Sequence, residues 1–207
     1  MRFVAPCLCC LAVVGPAQQG DRQGETQAPL PDSVIVPPAP ARSPAEELAT
    51  FRLQPGFSIA LAAGESLVGD PVAAAFDAKG RLWVVEMRGY MNDVDAAGER
   101  APNGRIVVLQ DHDGDGVMDG STVFRDGLVL PRAVLPLRGG ALVLEPPNLL
   151  WCPDRDGDLR AEAGEVVMGG FEAGLENPEH SGNGLLWGLD HCIHLAGDKR
   201  LLRWTDH

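Results

Sequence analysis

Apolar and polar positions divide the chain into three stretches. An unbroken apolar run from Phe3 to Val14 follows a single cation, Arg2, and closes on Gly15, Pro16 and Ala17 before polar Gln18. The run is too short to cross a bilayer, and small residues at its end are what a signal peptidase accepts. Residues 1–17 are therefore predicted to be an export signal cut after Ala17, leaving no membrane span in the mature chain and placing it in the periplasm or at the cell surface. Residues 18–45 are rich in Pro, Gln and Ala, which cannot bury enough apolar surface to offset ordering entropy. They are predicted to be a disordered linker.

From residue 46 the pattern acquires a period of two. Phe57, Ile59, Leu61 and Ala63 predict one face of a strand. A repeat follows. Pro71 to Phe76 runs into Gly80, Leu82 and Glu86, and Pro131 to Leu135 runs into Gly140, Leu142 and Glu145, with the Pro, Gly and Leu positions each 60 residues apart. A looser third copy spans residues 184–190 and continues through Cys192, Ile193, His194 and Leu195. Each copy predicts a strand, a tight turn and a strand. Each is followed by a further strand ending at an aspartate: Gly104–Gln110 before Asp111, residues 149–153 before Asp154, and residues 201–205 before Asp206.

Recurring groups of short strands at this spacing predict an all-β fold, a partial β-propeller over residues 46–207. A β-sandwich does not require the same three-part pattern to recur. About three blades are present, whereas propellers close with roughly four to eight. Asp206-His207 also repeats the Asp111-His112 opening of an earlier loop, so the chain is expected to be a fragment of a longer protein.

Composition sharpens this picture. With 25 Gly, 17 Pro and 45% apolar residues, the chain has a core and many turns but no long helices. A net charge of -12 without any Lys/Arg cluster excludes a nucleic-acid partner. No nucleophile elbow, phosphate-cradling loop or dinucleotide fingerprint occurs. Cys7, Cys9 and Cys10 would leave with the signal. Cys152 and Cys192 remain, either as a disulfide permitted by export or as two buried thiols.

Two acidic loops carry candidate metal chemistry. Asp111, Asp113, Asp115, Gly116 and Asp119 follow the spacing in which alternate side chains converge on one centre, with the carbonyl of Val117 at the seventh position. Those oxygens suit a hard cation such as Ca2+. Position twelve is Thr122 rather than Glu, and the flanks read as strands, so a helix-loop-helix sensor is disfavoured. The second loop offers Asp154, Asp156, Asp158, Glu162 and Glu165, with Leu159 at the glycine position. A structural cation that pins loops between strands is expected at each. The alternative is a polar hairpin in which Asp and Gly satisfy turn geometry.

A third candidate is the stretch from Asn177 to Asp190, where His180 stands ten residues before the Asp of a Gly-x-Asp turn. A proton-accepting imidazole and a turn-capping one are the two readings. Beyond the turn, His191, Cys192 and His194 superficially suggest a transition-metal site, but on a strand their side chains would diverge.

Leu82 to Tyr90, the first acidic loop, Glu145 to Leu149, the second acidic loop and the Asn177 to Asp190 stretch, in that order, resemble the N-terminal propeller of the PVC-type membrane-bound dehydrogenase or haem-binding proteins. The likeness covers about residues 53–204. It implies a parent that continues into further blades and a cytochrome c module, though no haem-attachment motif occurs in this chain. Leu82-Trp83-x-x-Glu86 with Gly104-Arg105-Ile106, and Glu179-His180 with Asp190, also resemble the glucose/sorbosone dehydrogenases, six-bladed enzymes using pyrroloquinoline quinone (PQQ) and Ca2+. That resemblance implies His180 as the base taking a hydroxyl proton from a sugar or related alcohol, assisted by Glu179, with Arg88 and Asn183 as cofactor contacts and Tyr90 nearby. His194 departs from that pattern, which has an aromatic after the turn. Three readings remain: part of an exported quinoprotein-like dehydrogenase, inactive alone; a non-catalytic Ca2+-stabilised propeller module binding carbohydrate or protein; and a degenerate fragment.

Overall fold

A computed structural model describes residues 31, 33–35, 38–93, 96–171, 181–196 and 201–204. The predicted signal, much of the predicted linker, and Glu179 and His180 lie outside them. Strand accounts for 38% of the structure and helix for 3%, which makes the fold all-β. Among the described residues the one helix, α1 (Pro44–Leu48), is a single turn straddling the predicted linker boundary, held by a capping box between Ser43 and Glu46.

Among the described residues three antiparallel sheets follow in chain order, none of them closed. The first runs β1 (Pro71–Phe76), β2 (Leu82–Glu86), β3 (Gly104–Gln110), β4 (Gly120–Leu128). The second runs β5 (Ala133–Leu137), β6 (Gly140–Glu145), β7 (Asn148–Pro153), β8 (Glu165–Gly169). The third holds β9 (Asn183–Trp187), β10 (Ile193–Ala196) and β11 (Leu201–Leu202). Every neighbour in space is a neighbour in sequence, so each sheet is a meander. The first strands stack on one another, β5 touching β1 on one side and β9 on the other.

Apolar runs without alternation become intelligible here, because the inner strands are covered on both faces. Trp83, Val85, Ile106, Val108 and Phe124 face Ala141, Val143, Leu150 and Cys152 across the first sheet-to-sheet interface. The Trp83 and Phe124 rings meet edge-on there, 4.6 Å between centroids. Leu142, Leu144 and Leu149, on the opposite face of the second sheet, meet Ile193 and Leu195 of the third. Burying each such side chain contributes about 1.5–3 kcal/mol.

The strands predicted at Gly104–Gln110 and 149–153 form, and so do the three hairpins. Three expectations are corrected. Residues 57–63 join no sheet, and Phe57 is 76% exposed. Period-two alternation marks a strand only where a neighbouring backbone takes its hydrogen bonds. Here the segment instead lies along the first sheet, with the Ala62 carbonyl accepting from Met118 N (2.7 Å) and Ala63 packed on the cluster that includes Val84, Val107, Leu109 and Met118. The uniform offset of 60 also fails beyond the turn. Register pairs Phe76 with Leu82 and Pro136 with Ala141, so Leu82 corresponds to Ala141 and Glu86 to Glu145, 59 residues on. The β5–β6 turn is one residue shorter than the β1–β2 turn. Finally, β11 ends at Leu202, short of the strand expected over 201–205.

Candidate functional site

The acidic loops lie at the same place in successive sheets, each leaving the third strand, and fold alike. In the first, Asp111 accepts from Gly114 N (2.7 Å) and Gly116 N (2.9 Å), Asp113 from Asp115 N (3.2 Å), and Asp115 from Val117 N (2.8 Å). In the second, Asp154 accepts from Gly157 N (2.9 Å) and Leu159 N (3.2 Å), Asp156 from Asp158 N (3.3 Å), and Asp158 from Arg160 N (2.8 Å). Carboxylate oxygens of Asp111, Asp113 and Asp115 lie within 4.8 Å of one another, as do those of Asp154, Asp156 and Asp158. Three convergent carboxylates form the donor set a hard divalent cation prefers, and these six could hold one cation per loop. Backbone N–H groups aimed at Asp111 hold its carboxyl below the usual range.

The remaining predicted ligands behave differently. Asp119 accepts from His112 N (3.2 Å), and Glu162 accepts from Arg155 N (3.2 Å) and pairs with the Arg155 guanidinium. Both therefore tie the loop's ninth position back to its second. Val117 is bound through its N–H, and Glu165 is the exposed first residue of β8. None of the three carboxylates joins the two groups of aspartates. Leu159 adopts φ +66 where the first loop has Gly116 at +90, and its side chain is buried between the first two sheets.

A second polar centre closes the ends of β2 and β6. Glu86 is fully buried and accepts from Gly69 N (2.8 Å) and Arg105 Nε (2.5 Å), with Arg88 Nε at 3.3 Å. Glu145 occupies the same position one sheet on, accepting from Val129 N (2.6 Å). Burial raises its carboxyl above the usual range, against that hydrogen bond and the nearby Arg125. In both, the donor stands two residues before the proline beginning the next strand region, and Asp70 and Leu130 between them take positive φ, +46 and +48. Strand register, which pairs Glu86 with Arg105, brings the two halves of the quoted Leu-Trp-x-x-Glu and Gly-Arg-Ile pattern into one ion pair. Arg88 keeps 42% of its side chain exposed, and Tyr90 is half-buried in the loop that follows.

On the third sheet, Asn183 is the exposed first residue of β9, its side-chain oxygen accepting from Gly184 N (2.7 Å). His194 Nε2 lies 3.1 Å from both oxygens of Asp190. That contact leads the causes holding the Asp190 carboxyl below the usual range, followed by Cys192 N–H. Gly188 leaves room for the pair, since a Cβ there would stand 2.5 Å from Asp190 Oδ1 and 2.6 Å from His194 Nε2 and would displace them. His191 takes φ +61 in the turn rather than lying on a strand, so the expected divergence along a strand applies only to His194. Sequence spacing missed the Asp190–His194 pair; the signal was a Gly-x-Asp turn with His four residues on. Cys152 and Cys192 are both free thiols, and burial pushes Cys152 up to about 11.

Among the described residues no helix is long and apolar enough to cross a membrane. An all-β chain of open antiparallel meanders with paired acidic loops is thus the class that fold and site define. The family model described as "Domain of unknown function (DUF7133)" matches residues 43–202, and the chain belongs to that family. No curated protein and no solved structure matches it.

Proposed function

We propose that this chain is a section of an exported β-propeller whose loops after β3 and β7 each bind Ca2+, a module that presents its strand-connecting loops to carbohydrate or protein. The observation that carries the reading is the duplicated loop: the same carboxylate convergence, from the same strand, with the same hydrogen bonds, in two sheets. Like charges this close repel, and a divalent ion between them converts that repulsion into a clamp. The three sheets, with their first strands stacked, are read as consecutive blades. Thermal unfolding with and without a chelator tests the proposal. A midpoint that rises with added Ca2+ and falls on chelation is expected; an unchanged midpoint removes the cation from the account.

A second reading, favoured by the buried Glu86–Arg105 pair at the centre of the quoted pattern, is that the parent protein is a quinoprotein-like dehydrogenase of the PVC-type membrane-bound kind. Arg88 would then contact a carboxylate of PQQ through its terminal nitrogens, and Asn183 would add a polar contact. PQQ, when bound, supplies the hydride acceptor; His180, with Glu179 beside it, would take the hydroxyl proton of the sugar or alcohol. A cytochrome c module in the parent would receive the electrons. In the full-length parent, dye reduction dependent on PQQ and Ca2+ should fall at least about 100-fold in His180→Ala. Undiminished turnover refutes the assignment.

A further inference from the structure

Between the second and third sheets lies an open cleft of about 150 Å3, lined by Leu142, Leu149, Met168, Ile193 and Leu202, with Arg203 at its side. We infer that this cleft binds a small aromatic carboxylate. Its floor is the buried face of two sheets, Leu142, Leu149 and Ile193 being almost wholly excluded from water. Val167 and Trp204 complete the wall, and Trp204 leans on Trp151 with 4.5 Å between ring centroids. A cavity of roughly this volume lined by aliphatic side chains accommodates one benzene-sized ring.

The charge pattern selects the substituent. Among the described residues Arg203 is the only charged one of the lining, and none of their carboxylates lies within ion-pairing distance of it. An exposed arginine at the side of an apolar floor, in a chain of net charge -12, offers a fork for one carboxylate while the surroundings repel polyanions. Sugars are disfavoured, because the floor has no partner for their hydroxyls. The cleft thus differs in chemistry from the carbohydrate-facing loops proposed above, and it depends on neither the cation nor a quinone.

Titration of the full chain with benzoate, and with benzyl alcohol as the neutral analogue, tests this through tryptophan fluorescence and calorimetry. Benzoate is expected to bind with a Kd of about 1 mM or below, and benzyl alcohol about tenfold more weakly. Arg203→Gln should remove that tenfold preference while leaving benzyl alcohol unchanged. Val167→Trp, at the exposed rim, should abolish both. Absence of benzoate binding at about 10 mM, equal affinity for the two probes, or a preference that survives Arg203→Gln would overturn the inference.

Discussion

Leu159 shows how one residue can reconcile two opposing demands. The turn after Asp154 needs a left-handed backbone, which costs an L-residue about 1–2 kcal/mol, and the first loop meets that need with Gly116. Leu159 accepts the cost because its side chain fills the interface between the first and second sheets. Leu159→Ala keeps the strained backbone and loses the packing, so it should destabilise by about 3 kcal/mol in urea unfolding. Leu159→Gly removes one more carbon but relieves the backbone. It should cost about 1 kcal/mol less than the alanine variant, the reverse of the ordinary order. Equal or greater loss in the glycine variant would show that packing alone decides the site.

At the scale of the strand, Glu86 and Glu145 perform the same closure under different electrostatics. Each ends the second strand of its sheet and accepts a backbone N–H from the connection leading into that sheet. Glu86 is flanked by two guanidinium groups, so Glu86→Gln takes the one carboxylate shared by two partly exposed guanidinium groups and should cost about 2 kcal/mol. Glu145, by contrast, has its carboxyl raised by burial. A raised acid favours the folded state when protonated, so its contribution is complete below the unfolded value and is lost as pH rises through the folded one. Glu145→Gln should therefore leave stability at pH 7 unchanged or higher and flatten the dependence of stability on pH above about 4. The β1–β2 hairpin shows the opposite balance. Burial pushes Asp77 up, yet donors from Trp83, Arg81 and Lys79 outweigh it and hold its carboxyl low, fixing the turn from its inside.

Across the whole molecule, the order of sheets decides which thiol is reachable. Cys152 lies in the interface between the first and second sheets with its thiol raised to about 11, whereas Cys192 is half-buried beside the turn of the third. In a chain beginning after Ala17, Ellman's reagent at pH 8 should modify one thiol rapidly, lost in Cys192→Ser, and the second only on unfolding. Two thiols reacting together in the native protein would contradict the stacking of these sheets.

Much of this architecture was legible because local pattern and tertiary environment agree. The proline-led hairpins, the strand before each acidic loop and the aspartate spacing all follow from turn chemistry and from short apolar runs recurring in one order, which act over a few neighbours. The fourth strands, β4 and β8, were not: β8 is exposed through most of its length and β4 carries Arg125, Asp126 and Gly127. Such edge strands are defined by the backbone they pair with rather than by apolar alternation. The segment at 57–63 failed for the converse reason, an alternating pattern whose partner is a loop.

What the sequence determined alone was therefore local: where hairpins turn, where carboxylates gather, and which short apolar runs lie between them. Only the tertiary structure decided which faces meet, that Glu86 finds Arg105, and that Leu159 can stand where its twin is glycine. Those outcomes depend on residues far apart in the chain or on opposite strands. Their energies come from desolvation and packing, which exist only once the sheets are stacked.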